Sequence, residues 1–378
     1  MSAHPIRFRH QLFTVPTLAA AFLLLAAAQT LPAAERHAKK LIEFGWDEPD
    51  TAFLRAHIVE MQKTPFDGCV FHANFQKTDG AKGSFTWDSW GTNAFTEADL
   101  AAAFADLRAT RFGRFRENFL RFNTTPAKID WFDDYSAVLQ NARLAARLAR
   151  AGHCPGLLFD IEQYNEPLFD YRKQRDVKSK GWEVYAAQVR LRGREVMKAF
   201  QEGYPGLTVF LTFGYSLPWV ESYSGKGSLA DVHYGLLAPF LDGMIEAARG
   251  ETRIVDGHET AYGYKTAAQF AAAREGTTRR LLPIVRDPPA YLKRISIGFG
   301  IWLDQDWRKN GWSTEDLSRN YFSPAALETS AREALNQADE YVWIYSETPR
   351  WWSADSQPVK LPLPYETALR EAKLPKPR

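Results

Sequence analysis

Two acidic side chains stand two residues apart at the end of an apolar run, in Gly156-Leu-Leu-Phe-Asp-Ile-Glu-Gln-Tyr-Asn-Glu-Pro167. In a β-strand side chains alternate with period two. Leu157, Phe159 and Ile161 then share one face, while Asp160 and Glu162 follow Leu158 on the other. Other strand-like segments run into polar residues in the same way. Thr252–Glu259 ends in Asp256, His258 and Glu259; Arg294–Asp304 ends in Trp302 and Asp304; Glu340–Glu347 ends in Trp343, Tyr345 and Glu347. Converging carboxyls of this kind suit acid–base chemistry, in which one group donates a proton while another, ionised, attacks or accepts one. Asp160 beside Glu162 would raise the Glu162 pKa by like-charge repulsion and keep it protonated near neutral pH.

Such groups converge only if the strands ends do. The chain alternates strand-like and helix-like segments eight times, with strands over Leu41–Trp46, Asp67–Asn74, Glu117–Asn123, Gly156–Glu162, Leu207–Gly214, Thr252–Glu259, Arg294–Asp304 and Glu340–Glu347. Periodic helices lie between them, Asp134–Ala151 being the clearest, and Thr96 reads as the N-cap of an Ala-rich one with Asp99 in its first turn. This is the pattern of a (β/α)8 barrel, whose site lies where the strands end. The segments linking strand to helix are long after strands two, four, five and seven, which marks that face as the functional one.

With outer faces apolar, the inward sets follow. Ile42 and Phe44 outward puts Glu43 and Gly45 inward. Strand two gives Val70, His72 and Asn74, and strand three gives Arg121 and Asn123. Strand four gives Asp160 and Glu162, with Tyr164 just beyond. Strand seven gives Gly298, Gly300, Trp302 and Asp304; strand eight gives Trp343, Tyr345 and Glu347. Strand six allows either Asp256 and His258 or Gly257 and Glu259. Glu43 and Arg121, both early in their strands, are placed to form a buried pair.

Composition limits the alternatives. Lys plus Arg number 47 against 45 Asp plus Glu, which leaves no footprint for nucleic acid. Aromatic residues make up 14% with 12 Trp, and Trp46, Trp87, Trp90, Trp302, Trp343, Trp351 and Trp352 fall at strand ends or in long loops. About half of these are expected to be core filler; the others could stack on sugar rings. Cys69 and Cys154 are separated by a strand and read as two buried free thiols.

The carboxylates and indoles together fit glycosidic bond cleavage, which needs one carboxylic acid for the leaving oxygen and one carboxylate as nucleophile or base. Glu162, Glu347, Glu259 and Asp160 are the catalytic candidates. Trp46, His72, Asn74, Asn123, Tyr164, His258, Trp302, Asp304, Trp343 and Tyr345 are the candidates for binding a carbohydrate. Over roughly Lys40 to Ser353 the chain resembles a secreted TIM-barrel glycoside hydrolase. Asp160-Ile161-Glu162 is similar to the end of the chitinase-type D-x-x-D-x-D-x-E signature, whose final Glu is the acid, but Leu158 and Pro155 stand at the two earlier Asp positions. Strand seven ends in Asp304 rather than Glu, which departs from the Glu/Glu retaining pattern. Asn165-Glu166-Pro167 matches a strand-four motif of barrel glycosidases, though here it lies past the strand end.

Two other classes compete. A metal-dependent sugar isomerase or epimerase barrel would use Glu162, His258 and Glu347 as ligands, and a non-catalytic barrel would use the indoles alone. No His-x-His occurs among the 8 His, which weighs against a zinc amidohydrolase. The hydrolase reading needs no metal or cofactor.

Residues 1–34 read as an export signal: Arg7 and Arg9 precede the apolar run Leu18–Ala28, with Ala26-Ala27-Ala28 or Ala34 offering a cleavage site. The run is shorter than the roughly 20 residues of a membrane span. A barrel over 36–355 and a Pro-rich tail over 356–378, with one short helix near Tyr365–Lys373, complete the expected layout, for a secreted or periplasmic protein with no lasting membrane attachment. The mature chain should begin between Ala28 and Glu35; intact-mass analysis of exported protein checks this, and retention of Met1 would contradict it.

Overall fold

The computed structural model describes residues 39–306, 309–353 and 359–375; the expected export signal lies outside them. Among the described residues, eight parallel strands alternate with eight helices. The strands are β1 (Lys40–Gly45), β2 (Gly68–Phe71), β3 (Phe119–Asn123), β4 (Gly156–Asp160), β5 (Thr208–Leu211), β6 (Arg253–Asp256), β7 (Ile295–Ile297, then Phe299–Trp302) and β8 (Tyr341–Ser346). Each pairs with the next, and β8 pairs with β1 over Lys40↔Tyr341 to Gly45↔Ser346, so the sheet closes. Gly298 interrupts β7: its first half pairs with β6 and its second with β8. A Cβ there would meet the Tyr341 carbonyl oxygen at 3.0 Å, a tight contact that glycine avoids where the strand bends close to its neighbour. The fold is the expected (β/α)8 barrel.

The helices that alternate with these strands are α1 (Thr51–Met61), α2 (Ala101–Ala109), α3 (Ser136–Ala151), α4 (Trp182–Gly203), α5 (Leu237–Ala247), α6 (Ala267–Glu275), α7 (Pro324–Gln337) and α8 (Leu363–Lys373), with short additional helices over Phe85–Asp88, Ser216–Glu221 and Pro288–Arg294. Local chemistry fixes several starts. Asp50 accepts from the Phe53 amide at 2.8 Å, Ser323 caps α7, and Thr266 with Gln269 forms a reciprocal capping box on α6. Thr96 and Asp99 instead bond each other in a turn, and α2 begins five residues after Thr96. The helix expected in a C-terminal tail is α8. Its Tyr365 and Leu369 are fully buried, and the Tyr365 hydroxyl donates to the Phe322 carbonyl at 2.8 Å, so it packs into the outer ring.

Two apolar layers result. The lumen holds Ile42, Phe44, Val70, Phe119, Leu158, Phe210, Val255, Tyr341 and Trp343. The larger layer lies between strands and helices and includes Cys69 and Cys154, both buried free thiols. For β1 the inward set is the reverse of that expected: Ile42 and Phe44 fill the lumen and Glu43 faces outward. Nearly every β1 residue is buried, so polarity along the strand could not tell the faces apart. The expected Glu43–Arg121 pair therefore does not form. In β6, Val255 points inward, which sets Gly257 and Glu259 on the lumen side and Asp256 and His258 behind it.

Asp256 is 1% exposed; its Oδ1 accepts from the amides of Gly214 at 3.1 Å and His258 at 3.0 Å, while Oδ2 has no partner. Burial pushes its pKa from 3.8 up to about 6. Stability from this group is present below pH 3.8 and is lost as pH rises through 6, a displacement worth about 3 kcal/mol. Asp256→Asn should therefore gain stability over the wild type progressively between pH 4 and pH 8. Urea unfolding at both pH values checks this, and a pH-independent difference would contradict it.

Candidate active site

The C-terminal ends of the strands surround a cavity of about 660 Å³. At its wall the guanidinium of Arg121, on β3, is held by two carboxylates. Its Nε and Nη2 donate to Asp160 Oδ2 at 3.1 and 2.6 Å, and Nη1 donates to Glu48 Oε2 at 2.8 Å. Tyr164 donates to Asp160 Oδ2 at 2.9 Å, and Asp160 Oδ1 accepts the Glu162 amide at 3.1 Å. Asp160 is fully buried with both oxygens engaged, and so orients its neighbours. Burial raises Glu48, but Arg121 and His72, whose Nδ1 lies 3.5 Å from Glu48 Oε1, hold it below the ordinary range. Burial lowers His72, and Glu48 more than reverses this.

Glu162, two residues past the end of β4, and Glu259, past β6, both line the cavity. Burial first and then the Asp160 charge lift the Glu162 pKa; the nearby Tyr164 hydroxyl and Arg121 act in the opposite direction. Glu259 is raised further, by burial and then by the charges of Glu162 and Asp160, with Tyr262 opposing. Glu259 Oε2 is buried without a hydrogen-bond partner. The Glu162 charge thus acts on Glu259, while the charge that raises Glu162 itself is that of Asp160.

Glu347 also lines the cavity, in a frame of its own. Asp304 accepts the amides of Glu347 at 3.0 Å and Thr348 at 2.7 Å and the Trp302 indole at 3.0 Å. The Trp46 indole donates to the Tyr345 hydroxyl at 2.8 Å, which donates to Glu347 Oε1 at 3.1 Å. Burial raises the Glu347 pKa, and its charged neighbours are Asp304 and Arg350.

Of the expected binding residues, Trp46, His72, Tyr164, Trp302 and Tyr345 line the cavity. Asp304 supports it from behind. Trp343 is fully buried in the lumen with its indole bonded to the Gly257 carbonyl at 2.8 Å, too deep to meet a ligand. Asn123 points inward but is wholly enclosed, its amide without a partner. Asn74 is exposed: β2 ends at Phe71, and Asn74 starts a small hairpin and donates to Asp50 at 3.0 Å. His258 packs on Phe299 in the outer layer, ring centroids 5.6 Å apart, and burial lowers its pKa to about 4. Glu162, His258 and Glu347 are thus not brought together as a ligand set. Among the described residues no group of three or more His, Cys, Asp or Glu is arranged to hold a metal.

Sequence reasoning assigned no role in the site to Glu48, Thr212 or Tyr262, which also line it. Glu48 lies beyond β1, where strand periodicity gives no signal, although a carboxylate two residues after Trp46 is itself a cue. Tyr262 stacks on Tyr345 at 5.6 Å, and Trp87 sits 4.9 Å from the Arg121 guanidinium. Of the seven Trp considered, Trp46, Trp87 and Trp302 face the cavity. Trp90 stacks on Phe159 in the core, and Trp351 and Trp352 pack edge-on against Phe66.

No protein-family model and no curated protein matches the chain. Among solved structures it is similar to a broad-specificity endoglucanase from an uncultured bacterium, with 14% identity over 87% of this chain and 85% of that one and a TM-score of 0.43. It is similar also to a glucosidase from Croceicoccus marinus, at 10% identity over 91% and 68% of the two chains with a TM-score of 0.43. An endo-β-N-acetylglucosaminidase from Cordyceps militaris matches at 11% identity over 90% and 92%, with a TM-score of 0.39. The likeness is one of overall fold.

Proposed function

We propose that the protein is a glycoside hydrolase in which Glu162 is the general acid and Glu259 the nucleophile or base. The observation that carries this reading is that Glu162 and Glu259 line one aromatic-walled barrel mouth, where the Glu162 charge adds to burial in raising the Glu259 pKa. Glu162, lifted by burial and by Asp160, would supply the acid, and Glu259, once ionised, the second carboxylate that acetal cleavage needs. Glu259 suits the second role because one of its oxygens is unpartnered. Glu162, seated between Asp160 and Tyr164, suits proton donation. Glu347, also a catalytic candidate, competes for the second role; Glu259 is favoured because the charges acting on Glu347 are Asp304 and Arg350 rather than Glu162. Asp160 acts through Arg121 and the Glu162 backbone as a positioning residue. Trp46, Trp87 and Trp302 offer indole faces for sugar rings.

Glu162→Gln should lower kcat on a natural glycan by about 10²–10⁴-fold. On an aryl glycoside with a good leaving group, much of the loss in the first step should disappear, because departure no longer needs a proton. Near-normal turnover of the glycan would remove Glu162 from the role.

Glu259→Gln should lose activity on both substrates alike, since attack is impaired whatever the leaving group. Steady-state kinetics on the pair of substrates separates the two variants. Should Glu259→Gln keep wild-type turnover while Glu347→Gln loses it, the second role belongs to Glu347.

A further inference from the structure

Three carboxylates outside the Arg121 network line the cavity, and the proposed hydrolysis employs two. The third, Glu347, is built into place with care for its orientation. Asp304 clasps its backbone amide and that of Thr348, and a relay of donors from the Trp46 indole through the Tyr345 hydroxyl ends on its Oε1. Among the described residues Tyr345 is the one hydrogen-bond donor to its carboxylate, Arg350 bonding the Glu347 carbonyl instead, and Glu347 lines the cavity. The same relay pins Trp46, which is 68% exposed and would otherwise rotate freely. Trp302, on the other side, is tied to Asp304 at 3.0 Å. A carboxylate with one free oxygen, flanked by two fixed indoles, is a preorganised acceptor beside a stacking surface.

Charge decides what it accepts from. Among the described residues that line the cavity, the cations are Arg121 and His72. Arg121 is spent on Asp160 and Glu48, and His72 faces Glu48. Even with His72 protonated, those two cations only balance those two carboxylates. What remains in the lining is the Glu162–Glu259 pair and Glu347; Arg350, whose charge acts on Glu347, bonds the Glu347 carbonyl and does not line the cavity. An acidic sugar would bring another carboxylate into this space, with no cation free to meet it among the described residues that line the cavity. Sugar hydroxyls, being donors, meet the free oxygen of Glu347 without that penalty.

We infer that Glu347 is a specificity-determining residue that accepts hydrogen bonds from the hydroxyls of an uncharged sugar ring stacked at Trp46 and Trp302, and that the site discriminates against uronic acid residues. The sugar identity of the ligand rests on the hydrolase reading above. The specificity itself concerns binding and is tested without turnover.

The test uses Glu162→Gln protein, titrated by calorimetry and by tryptophan fluorescence with neutral gluco- and galacto-oligosaccharides and with oligouronides of equal length. Neutral sugars should bind at least tenfold more tightly. Adding Glu347→Gln should weaken neutral binding about tenfold, since a charge-assisted acceptor is lost, and should narrow the neutral-to-uronic ratio by a similar factor. In the wild-type background Glu347→Gln should raise KM about tenfold with kcat changed less than about threefold. Equal or tighter binding of oligouronides overturns the inference, as does binding of neither series or a ratio unmoved by Glu347→Gln. A loss of kcat with KM unchanged also overturns it, because Glu347 would then act in the chemistry. Absence of turnover on every glycan would defeat the hydrolase reading, while the binding arm would still decide the role of Glu347.

Discussion

The site depends on one buried cation. Arg121 reaches from β3 to Asp160 at the end of β4 and to Glu48 beyond β1, so three parts of the barrel rim meet on a single guanidinium. Its plane also lies 4.9 Å from the Trp87 ring and 5.1 Å from Phe44, which fixes the aromatic wall with it. Removing one partner of such a network leaves the others buried and uncompensated, typically at roughly 3–5 kcal/mol. Asp160 passes this constraint on, since the oxygen not facing Arg121 holds the Glu162 amide. The position of Glu162 is thereby set through its backbone amide, by a residue that itself need not touch a ligand.

Around this anchor the barrel separates groups by depth and face. Glu259 and His258 are sequence neighbours, yet one lines the cavity and the other packs on Phe299 behind the sheet. Trp302 and Trp343 lie on adjacent strands with the same inward parity, but only Trp302 is high enough to reach the mouth. Near its base the lumen is filled with Phe119, Phe210 and Tyr341 from β3, β5 and β8, which closes the barrel beneath the carboxylates. A closed apolar floor excludes water from below and leaves the carboxyls partly desolvated, which is the first cause of the raised Glu162 and Glu259 pKa values.

The architecture was legible because eight strand–helix alternations leave few folds, and Asp160-Ile161-Glu162 was legible because a strand with one apolar face declares its parity. Strand β8 showed the same signal through Trp343, Tyr345 and Glu347. Strand β1 did not: with both faces buried, Ile42 and Glu43 can exchange sides without altering the pattern. Glu43 consequently sits in the outer layer with neither oxygen bonded, where burial and then Asp47 raise its pKa well above the ordinary range. Asn74 was misplaced because β2 stops three residues before it, and a strand's end is set by what the following loop packs against. The parity of β6 was open until Val255 was seen inside the lumen, and that single fact decided between His258 and Glu259. The pairing of Arg121 with Glu48 joins residues 73 positions apart and leaves no local trace.

The central claim is that Glu162 and Glu259 act together in one site, where the Glu162 charge raises the Glu259 pKa. It is tested most directly by following the side-chain carboxyl ¹³C signal of Glu259 against pH in the wild type and in Glu162→Gln. If the pair is coupled, the wild-type signal titrates in two steps, and removing the Glu162 charge shifts the Glu259 midpoint to lower pH. An unshifted, single-step titration of Glu259 in both proteins would contradict the coupling, and with it the assignment of acid and partner to these two residues.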